Sequence, residues 1–270
     1  MAESFNQILK KIKEIKIQGA ENIAKKGIEA FLLQPNVKSA EWLIEARPTE
    51  PLLKNSLNIL INSSNQRKDA KRILSYLEKS EEKIAKFGAQ LIKSEMNIYS
   101  HCHSSTVISI LKKAKKQKKN FVVYTSEVAP LYQGRMTAKE LSKAGIKVIV
   151  VPDMAAETAM KKCDLFLFGA DAYTKKGVVN KIGTSILCDI AKHHNIPRYS
   201  CGVSLKYIKK IKIENRKGKE VWDERNKLID VQYPVFDLTK PKFLTGIISE
   251  FGIFHYRYFI KQAKKTINNF

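Results

Sequence analysis

No stretch of this 270-residue chain approaches the roughly 18 consecutive apolar residues that a bilayer-crossing helix needs. The opening segment MAESFNQILKKIKEI is amphipathic and charged where an export signal carries an apolar core. Both absences point to a cytoplasmic protein with no membrane partner. Cysteine is scarce, and Cys102, Cys163, Cys188 and Cys201 show no C-x-x-C spacing, which argues against a disulfide framework and against a zinc ribbon. His101, His103, His193 and His194 have no carboxylate at helical spacing, so no metal and no cofactor is expected. Acidic residues are few: 26 Asp and Glu face 49 Lys and Arg, a formal charge of +23 that favours anionic partners. The lysines are spread along the chain in local runs such as 112–119 (KKAKKQKK), without a basic tail or an aromatic stacking pattern, and this speaks against nucleic acid as the partner.

What is present divides in two. Up to about residue 91, apolar residues recur at helical spacing (Ile8, Ile12, Ile15; Ile23, Ile28, Phe31, Leu32; Leu53, Leu57, Leu60; Ile73, Leu77; Ile84, Leu91) with Lys and Glu between them. The reading is a helical N-terminal domain over residues 1–95. From residue 96 short β-rich runs alternate with helical stretches: NIYSH, NFVVYT, KVIVVPD, DLFLFGAD and PRYSCGV. That alternation predicts an α/β domain over 96–270, a parallel sheet wrapped by helices. Ligands of such sheets sit beyond the carboxyl ends of the strands. There the sequence places His101 to Ser104, Ser126 and Glu127, Asp153, Gly169 to Asp171, and Ser204 with Lys206, with the crevice between the two domains as the expected site.

Cys102 falls between a strand and a helix expected to begin within SSTVISILKK. Beside a helix N-terminus a thiol is stabilised as thiolate, and the hydroxyls of Ser104, Ser105 and Thr106 suit a phosphate; a buried, inert cysteine fits the same pattern. Asp171 follows the apolar run LFLFGA, where poor solvation would raise its pKa toward that of a general acid or base, while a simple helix cap or turn is equally compatible. Asn180, Lys181, Gly183 and Thr184 are expected to open another helix with a cation, an amide and a hydroxyl in its first turn, an arrangement that suits an anion or merely a helix start. Cys163, Cys188 and Cys201 read as structural.

In order along the chain, HCHSS from His101, SEVAPLYQGRMTAKELSKAGI from Ser126, PDMAAETAM from Pro152, GADAYTKKGVVNKIGT from Gly169 and YPVFDLTKP from Tyr233 resemble the superfamily of initiation factor 2B regulatory subunits and sugar-phosphate isomerases. IQGAENIA from Ile17 and ARPTEPLLKNSL from Ala46 extend the likeness to the helical half. HCHSS is most similar to archaeal ribose-1,5-bisphosphate isomerases. The resemblance implies a Rossmann-like α/β domain and conversion of ribose 1,5-bisphosphate to ribulose 1,5-bisphosphate in nucleotide salvage. It implies that Cys102 and Asp171 are the catalytic pair, and that Gln18, Gly19, Ala20, Arg47, Ser104, Ser105, Thr106, Gln133, Asn180, Lys181 and Lys206 contact substrate. It further implies a phosphorylated pentose as partner, AMP as an activator, and a homo-oligomer built on a dimer. The apolar C-terminal stretch FLTGIISEFGIFHYRYFI is expected to supply hydrophobic surface for that dimer, unless it is an ordinary core strand and helix.

Two positions depart from the isomerase pattern: Gln18 and Ala129 stand where those proteins carry arginine. Each lost cation removes a charge-assisted hydrogen bond of about 1.5–3 kcal/mol from a bisphosphate site. SEVAP and YPVFD also resemble the initiation factor subunits, which keeps a non-catalytic assembly role in translation initiation as an alternative; methylthioribose-1-phosphate isomerase is a second.

Overall fold

The computed structural model describes residues 3–211, 213 and 215–270. The first part is helical: α1 (Phe5–Lys13), α2 (Ala20–Leu33), α3 (Val37–Ala46), α4 (Pro51–Ile61) and α5 (Gln66–Leu91). Local chemistry sets the starts. Ser4 and Gln7 form a reciprocal capping box on α1, Asn36 and Asn65 cap α3 and α5, and Pro51 opens α4, where its missing N–H costs nothing.

The second part runs β1 (Asn97–His101), α6 (Ser105–Lys116), β2 (Val122–Ser126), α7 (Gln133–Lys143), β3 (Lys147–Val151), α8 (Ala156–Met160), β4 (Leu165–Phe168), β5 (Ala172–Thr174), β6 (Gly177–Lys181), α9 (Thr184–His193) and β7 (Arg198–Cys201). It closes with β8 (Asn215–Arg216), β9 (Tyr233–Pro234), β10 (Phe236–Thr239), β11 (Gly246–Ser249), β12 (Gly252–Phe254) and α10 (Tyr256–Asn268). The main sheet has the order β12-β11-β7-β4-β1-β2-β3 and is parallel except for the edge strand β12. All five strands expected from the apolar runs lie in it. A smaller antiparallel sheet, β10-β6-β5, and a two-stranded ribbon, β8-β9, stand beside it.

Strand alternation sends neighbouring side chains to opposite faces, and the two cores follow. Ile98, Leu165, Leu167 and Ile248 join a cluster with Ile23, Leu53, Leu57, Ile73 and Ile84 of the N-terminal helices and with Ile110 and Leu111 of α6. Tyr99, Phe166, Phe168 and Ile247 join the opposite cluster, with Met160, Leu187, Cys188 and Phe259. Strand β4 (LFLF) is buried on both faces, as a central parallel strand covered by helices must be.

The C-terminal stretch divides between core and surface. FLTGIISEFGIFHYRYFI builds β11, β12 and α10, and its Ile247, Ile248, Phe259 and Ile260 are buried inside this chain, while Tyr258 stays exposed and Phe251, Ile253 and Phe254 half-buried. Among the described residues no helix is long and apolar enough to cross a membrane.

Candidate active site

The chain passes from β1 outward to β2 and β3, then returns to place β4 on the other side of β1. This reversal opens a crevice at the carboxyl ends of β1 and β4, where parallel sheets bind ligands. Cys102 directly follows β1, and Asp171 follows β4 by two small residues. Both line one cleft of about 630 Å³, measured out to its open mouth. The N-terminal helices close the opposite wall with Gln18, Gly19, Ala20, Arg47 and Glu50; His103, Gln133, Lys181 and Arg216 complete the polar lining.

Cys102 has φ +66°, a left-handed backbone that a non-glycine residue adopts at a cost, and the strain points to a constrained position. The Thr137 hydroxyl of α7 holds it by donating to the Cys102 carbonyl at 2.9 Å, while His103 Nδ1 lies 3.1 Å from the same hydroxyl. Burial, reinforced by the neighbouring Asp171 charge, pushes the Cys102 thiol up to about 12, against the smaller opposing pulls of Lys181 and the His103 backbone N–H. Of the two readings the sequence leaves open for Cys102, the shift favours the neutral thiol over the thiolate.

The close approach of β1 and β4 explains the small residue before Asp171. A Cβ on Gly169 would lie 2.7 Å from Ser104 Oγ and 2.9 Å from its Cβ, so only glycine lets the turn after β1 sit against β4. Ser104 is the N-cap of α6, its Oγ accepting from Val107 N at 3.4 Å. Ser104, Ser105 and Thr106 are absent from the cleft wall.

Lys181 is buried, and its ammonium donates to the Tyr233 hydroxyl at 2.6 Å from the end of β6. The expectation that Asn180 and Lys181 occupy the first turn of a helix is corrected: both belong to β6, and α9 starts only at Thr184 behind Gly183. Asn180 turns inward, donating to Thr184 Oγ1 at 3.0 Å. Lys206 is likewise buried away from the cleft wall, with its ammonium on the carbonyl of Ala170 at 2.6 Å, one residue before Asp171. Of the expected contact residues, then, Gln18, Gly19, Ala20, Arg47, Gln133 and Lys181 meet at the cleft; Ser104 to Thr106, Asn180 and Lys206 stand behind it.

Gln133 opens α7 and keeps its side-chain carbonyl oxygen buried with no hydrogen-bond partner among the described residues, an acceptor suited to a sugar hydroxyl. Arg47 is buried at the end of α3 and pairs with buried Glu50 at 2.8 Å. Arg216 pairs with Glu220 at 3.1 Å. Ala129 does not belong to the cleft at all. It lines a neighbouring hollow with Asp153, whose carboxylate accepts from the backbone N–H groups of Val128 and Ala129, both at 2.8 Å. Glu127 pairs with Arg135 and Ser204 hydrogen-bonds Glu250, so the strand ends do not all converge on one crevice.

Sequence reasoning missed Glu50, Arg216 and Phe236 as cleft residues. Glu50 carried a signal, three residues after Arg47. Arg216 carried none, because β8 reaches the cleft only through pairing with β9.

The family model of the initiation factor 2 subunit family matches residues 31–256. The ribose 1,5-bisphosphate isomerase of Thermococcus kodakarensis is 35% identical, the match covering 92% of this chain and 89% of that protein. A putative translation initiation factor eIF-2B subunit 2-like protein of Pyrococcus furiosus is also 35% identical, covering 94% of this chain and 97% of its own. Among solved structures, the translation initiation factor eIF-2B of Pyrococcus horikoshii superposes with a TM-score of 0.84 at 30% identity, over 94% of this chain and 98% of that one.

Proposed function

The chain belongs to the initiation factor 2 subunit family, and on that premise we propose that it is a sugar-phosphate aldose–ketose isomerase acting on ribose 1,5-bisphosphate to give ribulose 1,5-bisphosphate, in nucleotide salvage. The observation that carries the reading is the pairing of Cys102 and Asp171 at the carboxyl ends of adjacent strands, inside a cleft that also holds Arg47, Lys181 and Arg216. The cations hold phosphate, and the Gln133 oxygen accepts from a sugar hydroxyl.

Isomerisation needs the ring opened first. Asp171, charged in the free protein, takes up a proton from solvent in the substrate complex and gives it to the ring oxygen as the C1–O4 bond breaks and its electron pair stays on oxygen. The C2 hydrogen then moves with its electrons to the electron-poor C1, and Asp171 recovers a proton from the C2 hydroxyl as C2 becomes a carbonyl. Atoms and charge balance without a cofactor. A Cys102 thiol pushed up to about 12 is a poor base for taking the C2 hydrogen as a proton, which favours the hydride route, with the neutral thiol packed beside C1 and C2.

The test is incubation with ribose 1,5-bisphosphate, with and without AMP, following ribulose 1,5-bisphosphate, with Cys102→Ser and Asp171→Asn as controls. The reading expects turnover that both changes abolish, stimulation by AMP, and retention at C1 of deuterium placed at C2. Washout of that deuterium into water overturns the hydride route and leaves the isomerase standing. A homo-oligomer built on a dimer completes the reading and is checked by light scattering.

A second reading has specific observations behind it. Gln18 at the cleft mouth lacks the charge the isomerases have there, and Glu50 puts a carboxylate into the lining. An initiation factor 2B-like assembly subunit tolerates both. No turnover of any pentose phosphate, with binding to initiation factor 2, would decide for it; turnover of methylthioribose 1-phosphate alone would decide for that isomerase instead.

A further inference from the structure

Outside the cleft, α4, α10 and the strap after Lys206 line an open hollow of about 1020 Å³ out to its mouth. Lys54, Lys209, Lys210 and Lys264 line it, and no acidic residue does among the described residues. None of the four is in an ion pair with any described residue. What sets the hollow apart from an open lysine face such as the run 112–119 is that its four lysines surround one concavity with no acidic residue in the described lining. Four ammonium groups around one concavity repel each other, and each added anion relieves that repulsion.

A second observation points the same way. Tyr207 also lines the hollow; it is 4% exposed, and its hydroxyl is buried without a hydrogen-bond partner among the described residues. Buried hydroxyls are normally satisfied, so an orphaned one beside a cationic hollow is a donor awaiting an acceptor. Lys264 places its ammonium 5.9 Å from the Tyr207 ring centroid, so the ring that carries the orphaned hydroxyl lies beside one of the four charges. The exposed amide of Asn58 adds polar capacity on the α4 side.

We propose that this hollow is a second anion site, which takes a small phosphorylated molecule through Lys54, Lys209, Lys210, Lys264 and the Tyr207 hydroxyl. Lysines serve phosphate and polyphosphate groups as point charges. The site is tied to the cleft by a short path. Asn55 Nδ2 donates to the carbonyls of Leu205 at 2.7 Å and Tyr207 at 2.8 Å, bracketing Lys206, whose ammonium rests on Ala170 beside Asp171. An occupant that draws on Tyr207 acts on the strap that positions Lys206. This coupling rests on the isomerase reading; the binding site does not.

The test titrates the full chain with inorganic pyrophosphate by calorimetry at fixed ionic strength. The wild type is expected to bind at the cleft and at the hollow. Lys181→Ala removes the cleft event and keeps the other. Lys209→Gln/Lys264→Gln weakens the hollow event at least tenfold, and Tyr207→Phe weakens it several-fold with an unchanged melting temperature. Lys115→Gln/Lys116→Gln, on the run 112–119, leaves it untouched. A single event that vanishes in Lys181→Ala and ignores Lys209→Gln/Lys264→Gln overturns the site, as does equal weakening by the two lysine pairs, which would mean diffuse charge. For the coupling, Asp171→Asn protein saturated with ribose 1,5-bisphosphate is expected to bind pyrophosphate at the hollow with altered affinity, an alteration that Lys206→Ala abolishes. Unaltered affinity overturns the coupling alone. Failure of that sugar to bind the cleft overturns the isomerase reading and leaves the pyrophosphate arms readable.

Discussion

At the scale of single residues, the pair after β1 and β4 makes a claim that pH can check. Burial first and the Asp171 charge second keep the Cys102 thiol protonated at neutral pH. Its alkylation by iodoacetamide should therefore be slow at pH 7 and still climbing above pH 9, and Asp171→Asn, by removing the repelling charge, should bring the rise to lower pH. A rate already level by pH 8 would contradict the neutral thiol. His101, one residue earlier, carries the opposite shift. Burial pulls its imidazole down to about 4, against the bond between Nε2 and the Ile182 carbonyl at 3.0 Å. In the unfolded chain a histidine takes its proton near pH 6.5, so as pH falls the unfolded state is protonated first and stability drains away between about 6.5 and 4. The loss is at most on the order of 3 kcal/mol for a group this deeply buried. Urea unfolding at pH 7 and pH 4.5 should show a smaller drop for His101→Gln than for the wild type.

At the scale of elements, the turn from β2 into α7 has no spare room. A Cβ on Gly134 would fall 1.7 Å from the backbone oxygen of Ser126, and backbone cannot give way as a flexible side chain does. Gly134→Ala should force α7 off the end of β2, cost more than about 2 kcal/mol, and displace the neighbouring Gln133 from the cleft. The expected result is a lowered melting temperature with KM raised more than kcat is lowered; an unchanged KM would separate Gln133 from substrate binding. What the sequence disclosed divides along the same lines. The strand β4 was legible because burial on both faces writes an unbroken apolar run, whereas β1, β2, β3 and β7 were legible as short β-rich runs alternating with helical stretches. The small sheet was not. Its β10 pairs with β6 across more than fifty residues, matching Phe236 to Lys181 and Asp237 to Asn180, and short mixed strands leave no pattern until partnered. Asn180 and Lys181 were misplaced into a helix for this reason. Asp237, which caps α9 by accepting from Gly183 N and Ser185 N at 2.8 and 3.0 Å, was invisible for the same one. Cys102 and Asp171 were readable as strand-end residues, but the choice between thiolate and neutral thiol was not, because it depends on burial and on the charge of Asp171.

At the scale of the whole molecule, the N-terminal helices and one face of the sheet share a continuous apolar cluster, so neither can unfold without exposing the other. A polar tie reinforces the join. The buried carboxylate of Glu250 accepts from Ser204 N at 3.0 Å and Ser204 Oγ at 2.5 Å, and from the hydroxyl of Tyr76, which reaches across from α5. Burial, then the Glu250 charge, pushes the Tyr76 phenol far above its ordinary range, so it remains a donor at any working pH. Tyr76→Phe removes that donor while keeping the ring, which packs edge-on against Phe270 at 5.1 Å. The carboxylate then keeps only Ser204, and the loss should be about 1.5–3 kcal/mol, a fall of roughly 3–8 °C in a chain of this size. Glu250→Gln, which leaves no buried charge to satisfy, should cost less when combined with Tyr76→Phe than the two single changes summed. Because the apolar cluster persists in every variant, far- and near-ultraviolet circular dichroism should still report one coincident transition. Two transitions in the wild type would show instead that the helical part and the sheet unfold as independent units, with the Tyr76–Glu250 contact only bridging them.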